Sequence, residues 1–265
     1  MRALVVFLLI ILGSTTQAAD FDQQHNQWTH LLGKHVVWIN RGVASQVDYV
    51  GFKAEQPALD AYLASLSAVT REQYKGWSRE QQLAFLINAY NAFTVKLILD
   101  HYPISSIKEI GGVFSNAWKL AFIPLLGQTV TLDEIEHGMI REPGAFNEPR
   151  IHFAVNCASI GCPALRTEAF AAEQLDTQLE DSQQRFLSDH SRNRYNLDKR
   201  RFEVSKIFKW YGKDFAEKWG SLEAYLQQNA SLLADSQAVA KARNNTRIDF
   251  TYYDWALNQK NKPGQ

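Results

Sequence analysis

The sequence predicts an α+β fold, a helix-rich single domain with a small antiparallel sheet, on three observations. Several long segments repeat apolar residues at helical spacing, while two short segments alternate apolar with polar residues. The helical and alternating segments do not take turns along the chain, as a parallel α/β sheet would require.

The elements follow in order. After Pro57, Leu59, Tyr62, Leu63 and Leu66 recur one helical turn apart and predict a first helix. A second starts at Ser78, which forms a capping box with Gln81, and ends near Pro103. Its middle, Leu83 to Leu99, is apolar on nearly every face, so it is expected to lie inside the protein. Asn88 and Asn91 interrupt that surface on one side, and a buried amide needs partners. Thr131 with Glu134 forms another capping box, opening a helix with Leu132, Ile135 and Met139 toward a core and Glu136, His137 and Arg141 off that stripe.

From Ile151 to Cys157 the period changes to two. Ile151, Phe153 and Val155 alternate with His152, Ala154 and Asn156, which predicts a strand with one polar-bearing face. Gly161 and Pro163 end it, and a helix is expected from about Thr167 to Leu187. The polar, basic stretch Ser191 to Arg201 reads as a surface loop, and Ser205 as the cap of a helix containing Trp210 and Tyr211. Ile248, Phe250 and Tyr252 alternate in a late strand.

The amino terminus has a different pattern. Arg2, the apolar run Ala3 to Leu12, and small or polar residues from Gly13 to Ala19 are the three parts of a secretory signal, cleaved between Ala18 and Ala19. The apolar run is shorter than the roughly 20 residues a permanent membrane helix needs. The expected organisation is a signal over residues 1–18 and one globular domain over 19–265, periplasmic or secreted, with no membrane anchor. The 28 Lys and Arg balance 28 Asp and Glu, and losing Arg2 leaves one negative charge in excess. That balance does not point to nucleic acid.

Cys157 and Cys162 are the two cysteines of a chain bound for an oxidising compartment, which makes a disulfide the default reading. The competing reading is a catalytic thiol at Cys157, with His152 or His137 as base and Asn88, Asn91 or Glu136 orienting it. On a regular strand Cys157 points away from His152, so that pair requires the strand to end or bulge first. The histidine-after-cysteine order of papain-like enzymes is absent. No glycine-rich phosphate loop, Gly-x-Ser-x-Gly elbow or His-Glu-x-x-His motif is present, and no cofactor or metal is implied.

The segments Ala84-Phe-Leu-Ile-Asn-Ala-Tyr-Asn-Ala92, Thr131-Leu-Asp-Glu-Ile-Glu-His137, Pro149-Arg-Ile-His-Phe-Ala-Val-Asn-Cys-Ala-Ser-Ile-Gly-Cys-Pro163 and Tyr253-Asp-Trp-Ala-Leu-Asn258 together resemble the domain of unknown function 547 family. The resemblance runs from the Trp28 region to Asn258, with Ala256 where the family pattern has a serine or similar small residue. It implies kinship with bacterial exported proteins and multidomain eukaryotic ones, and no reaction. It also implies that Asn88, Asn91, Glu136, His137, Arg150, His152, Asn156, Cys157, Cys162 and Asp254 are motif positions. A motif set dominated by such residue types suggests a pocket.

The function expected from these features is cysteine- and histidine-assisted amide or acyl chemistry on a small-molecule or peptide-like ligand. In that scheme Cys157 attacks, while Asn91, Arg150, Asn156 and Asp254 bind the substrate. The alternatives are a disulfide-stapled binding module and a thiol–disulfide exchange protein.

Overall fold

The computed structural model describes residues 20–112 and 115–260. The expected signal, residues 1–18, and its cleavage point lie outside the described residues. The class is α+β, as the sequence predicts.

Helix α1 (Asn26–His35) leads into a hairpin of β1 (Val36–Ile39) and β2 (Ala44–Val47), paired antiparallel with Val36 opposite Val47. Helices α2 (Tyr49–Ala54), α3 (Gln56–Ala68) and α4 (Arg71–Lys75) follow. The expected first helix is α3, with Leu59, Tyr62, Leu63 and Leu66 buried and Tyr62 stacked on Trp28 of α1.

Helix α5 (Arg79–His101) is the axis of the larger core. Ser78 and Gln81 close the expected capping box at its start. Its 23 residues span about 35 Å at 1.5 Å per residue, long and apolar enough to cross a membrane by length and composition. Here 89% of its most apolar stretch is buried inside the protein. Its middle is shielded from water because α2, α3 and the Glu134–Ile140 turn pack around it, while Lys96 and Asp100 still reach solvent.

Short hairpins follow, β3 (Gly111–Gly112) with β4 (Ser115–Asn116) and β5 (Ile123–Leu125) with β6 (Gln128–Val130). Thr131 and Glu134 form their capping box, and the helix they open widens into a π-helix over Glu134–Ile140. Leu132 and Ile135 are buried as expected, and so is Glu136, which the apolar stripe did not include.

Three expectations are corrected. Residues 151–157 form no strand; Pro149–Phe153 is a 3-10 turn whose start is capped by the Glu148 carboxyl on the Arg150 amide. The alternation arises because this segment passes between two cores. Ile151 and Val155 pack into the α5 core, whereas Phe153 packs into a second, aromatic one with Phe186, Phe208 and Phe215. The helix expected from Thr167 begins later, as α6 (Leu175–Leu187) after a single turn at Ala172–Gln174, because residues 167–171 form an extended link held by side chains. The expected loop Ser191 to Arg201 contains β7 (Arg194–Asn196), paired with β8 (Arg201–Val204), since Glu203 gathers Arg194 and Lys199 across the hairpin.

Helix α7 (Ile207–Trp219) carries Trp210 and Tyr211, with the Ser205 hydroxyl accepting from the Ile207 amide as expected. Helices α8 (Leu222–Gln228), α9 (Ala230–Leu233) and α10 (Val239–Arg243) complete the second core. The late strand is β9 (Ile248–Phe250), which pairs with β8 in parallel, so the largest sheet is mixed rather than purely antiparallel.

The chain then returns as an extended strap. Ile160 and Gly161 donate backbone hydrogen bonds to Ala256 and Asp254, Asn258 donates to Ala158, and Lys260 donates to Val47. The strap thus ties the cysteine loop to the amino-terminal hairpin. Gly161 is needed here for close approach, because a Cβ at that position would lie 2.8 Å from the Tyr253 ring.

Candidate functional site

A cavity of about 230 Å³ opens where the two cores meet. Its walls come from stretches distant in sequence: α5 gives Tyr90, the segment after β4 Trp118, the π-helix Glu136 and His137, the 3-10 turn His152, the cysteine loop Cys157 and Cys162, and α7 Trp210 and Tyr211. The strap adds Tyr253 and Trp255. Because no strand forms, His152 and Cys157 face the same cavity, which the alternation had placed on opposite faces.

The π-helix presents its carboxyl group inward. Its wide turn, closed by the Arg141 amide on the Glu136 carbonyl, leaves Glu136 only 4% exposed, and Glu136 Oε1 has no hydrogen-bond partner among the described residues. Such π-type turns are frequent at functional sites.

His152 is 2% exposed and lies flat against Tyr211, with ring centroids 3.9 Å apart. Its Nε2 is 2.8 Å from Asp214 Oδ2. A carboxylate only accepts, so Nε2 carries the proton and Nδ1 is left a bare acceptor, again with no partner among the described residues. Burial pushes the His152 pKa below its ordinary value, against the opposing pull of Asp214, so the ring is neutral at pH 7.

Asp214 is the hub of this group. Arg141 grips it through Nε at 2.7 Å and Nη2 at 2.9 Å, and reaches His137 Nδ1 through Nη1 at 2.6 Å. A single hydrogen-bonded chain therefore runs His137, Arg141, Asp214, His152. Burial alone would raise the Asp214 pKa, but the bonds from His152 and Arg141 hold it well below the usual carboxylate range. Burial and the neighbouring Glu136 carboxyl push the Tyr211 phenol far up, so it stays a donor.

Cys157 and Cys162 are joined in a disulfide, with Cα atoms 6.2 Å apart. The thiol that a nucleophilic Cys157 needs is therefore bonded in this structure. The two sulfurs differ. Cys157 is half-buried against the cavity, with Tyr253 Oη at 3.3 Å and Ser159 Oγ at 3.5 Å from its sulfur. Cys162 is 5% exposed, and three donors surround its sulfur: the Cys157 amide at 3.0 Å, the Tyr253 hydroxyl at 3.2 Å and the Ser159 hydroxyl at 3.3 Å. Burial pushes the Tyr253 phenol up to about 12, so it remains protonated beside them.

Other residues expected at the site lie elsewhere. Asn88 binds the Phe170 backbone through both ends of its amide, at 2.7 and 3.0 Å. Asn91 accepts from the Asn156 amide and donates to the Ala154 carbonyl, and the Asn156 side chain bonds Pro163 and Ala158. These three residues lie outside the cavity wall and shape the loop that bears it. Arg150 is no anion binder here, because its guanidinium is taken by Glu148 and Asp176. Asp254 receives the Ala256 amide and turns the strap. Asp214, Tyr211 and Tyr253 escaped the sequence reading; the available signal was Asp214 one turn beyond Trp210 and Tyr211 on an aromatic helix.

No curated protein and no solved structure matches the chain. The matched family segment is shorter than the motif resemblance and excludes the strap. It covers residues 74–187, from α4 through α5, Glu136, His137, His152 and both cysteines to the end of α6. Over this segment the chain is similar to the family described as protein of unknown function, DUF547.

Proposed function

We propose that the protein, exported by its amino-terminal signal and folded as one domain from Ala19, is a thiol–disulfide exchange protein working at the Cys157–Cys162 bond. The observation that carries this reading is the inequality of the two sulfurs. A disulfide exchanges fastest when an accessible sulfur is attacked and the other leaves as a stabilised thiolate. Both cysteines line the cavity and both sulfurs lie near the Tyr253 and Ser159 hydroxyls, but Cys157 is the more exposed of the two and Cys162 alone also receives a backbone amide, that of Cys157.

In the proposed step an incoming thiol gives its proton to His152 Nδ1, and its sulfur bonds Cys157 Sγ. The S–S bond breaks and its electron pair leaves on Cys162 Sγ. A second thiol then attacks the substrate sulfur of the mixed disulfide and releases Cys157 as a thiolate. Two substrate thiols are oxidised to a disulfide, and the protein disulfide is reduced.

The test uses Cys162→Ser and Cys157→Ser incubated with glutathione disulfide and read by intact mass. The remaining Cys157 in Cys162→Ser is expected to form its adduct at least tenfold faster than the remaining Cys162 in Cys157→Ser. Equal rates, or the reverse order, defeat the reading.

The Asp214–His152 pair favours a second reading, in which the reduced protein performs amide or acyl chemistry. Cys157 would pass its proton to His152 Nδ1 and attack a carbonyl; the acyl C–N or C–O bond breaks, the amine or alcohol leaves with that proton, and water then hydrolyses the thioester to the acid and free Cys157. Acyl hydrolysis that appears only after reduction, and is lost in Cys157→Ser, distinguishes it from exchange.

A further inference from the structure

We infer that the cavity beside the disulfide binds a primary ammonium group, with Glu136 and His152 receiving its N–H donors and the aromatic walls covering its carbon chain. The first ground is that both unpartnered groups in the wall are acceptors. Glu136 Oε1 and His152 Nδ1 are each buried, and each lacks a donor among the described residues. A ligand that brings no donor leaves both unmet on entering, whereas an ammonium group brings three.

The second ground is charge. The lining residues include Asp133 and Glu136 and no lysine or arginine. The nearby Arg141 is already committed to Asp214 and His137 and lies outside the wall. An anionic ligand would enter against two acidic side chains, with no lysine or arginine in the lining.

The third ground is the π surface. Trp210, Tyr253 and Trp255 form a continuous wall, with centroids 4.6 to 5.8 Å apart. Aromatic faces attract cations, and two wall rings already hold one: Lys108 Nζ lies 5.2 Å from the Trp255 ring centre and Arg141 Cζ 4.8 Å from that of Tyr211. The cavity volume fits a small amine or an amine-bearing side chain rather than a folded partner.

This inference stands apart from exchange chemistry, because binding is measured with the disulfide intact. Calorimetric titration of the full oxidised protein with n-butylammonium, butan-1-ol, butyrate and tetramethylammonium is the test. Butylammonium is expected to bind at least tenfold tighter than butanol or butyrate, and tighter than tetramethylammonium, which has no N–H. Glu136→Gln should weaken butylammonium at least tenfold, and Asp60→Asn, on the exposed side of α3, should leave it unchanged. Butylammonium no tighter than butanol overturns the inference without any variant. Tetramethylammonium at least as tight as butylammonium also overturns it, since the two acceptors would then not be what the cation meets.

Discussion

Two groups of buried polar side chains lie within a few turns of each other, and they behave oppositely. Asn88, Asn91 and Asn156 have bonds at both ends of their amides, nearly all to backbone. Glu136 and His152, in the cavity wall, each keep an atom without a partner. A buried acceptor left unmet costs about 1–3 kcal/mol, a cost that a ligand's donor can relieve where the residue lines a cavity. The saturated amides act as struts, holding the loop between the cores against α5. The unsaturated pair is what the cavity offers to a ligand.

The largest effect that can break this contrast is expected at a strut. Asn91→Ala strands the Ala154 carbonyl and the Asn156 amide inside the core, costing on the order of 3 kcal/mol and lowering the melting temperature by roughly 10 °C. Exchange rate per folded molecule, measured well below the melt, should stay near that of the parent. A variant that melts normally but loses exchange would make Asn91 part of the working site instead.

Acid tests whether an unmet nitrogen must lie in the cavity to matter. His25, remote from the site, is 1% exposed, and burial lowers its pKa to about 4. Between its ordinary 6.5 and that value the unfolded chain binds more protons than the folded one, so stability falls as pH drops through this window, by on the order of 3 kcal/mol in all. The His152 pKa is also lowered, so its contribution has the same sign. His25→Asn, which tolerates the left-handed backbone at this position, should flatten the chemical-denaturation profile between pH 6.5 and 4. An unchanged profile would move the acid sensitivity onto His152 and His35, whose pKa values burial also lowers.

A smaller effect is expected at Gly161→Ala. The new methyl would meet the Tyr253 ring, costing about 1–2 kcal/mol by denaturant titration. It would also move the phenol from the sulfurs, so the disulfide should be reduced more slowly by dithiothreitol. The smallest is Tyr253→Phe, which keeps the ring and removes one donor. Stability should change by less than about 1 kcal/mol while thiol exchange slows several-fold. Faster exchange in this variant would mean that the hydroxyl shields Cys157 rather than helping Cys162 to leave.

Much of the frame was legible because its causes are local. The Ser78–Gln81 box and the all-round apolar run set α5, and Thr131–Glu134 set the turn that carries Glu136. The segment at 151–157 misled because period-two alternation has two physical origins: a strand with one wet face, or a link whose neighbours enter different cores. Phe153 and Val155 do the latter. Asp214 was invisible because its meaning lies in Arg141 and His152, 73 and 62 residues away. The cysteine pair was legible as a pair, but the hydroxyl that reaches both of its sulfurs belongs to Tyr253, which the strap delivers.

That strap also sets an order of assembly. Synthesis runs from the amino end, and Tyr253 follows Cys162 by 91 residues. Both cysteines and His152 are therefore made well before the ring that covers them, and the growing chain presents its sulfurs to whatever oxidant or thiol surrounds it. Residues 253 and 255 supply the far wall of the site, so a chain that stops short of them lacks it. Arrival of Tyr253 and Trp255 is thus the moment at which an open cysteine loop becomes a lined cavity.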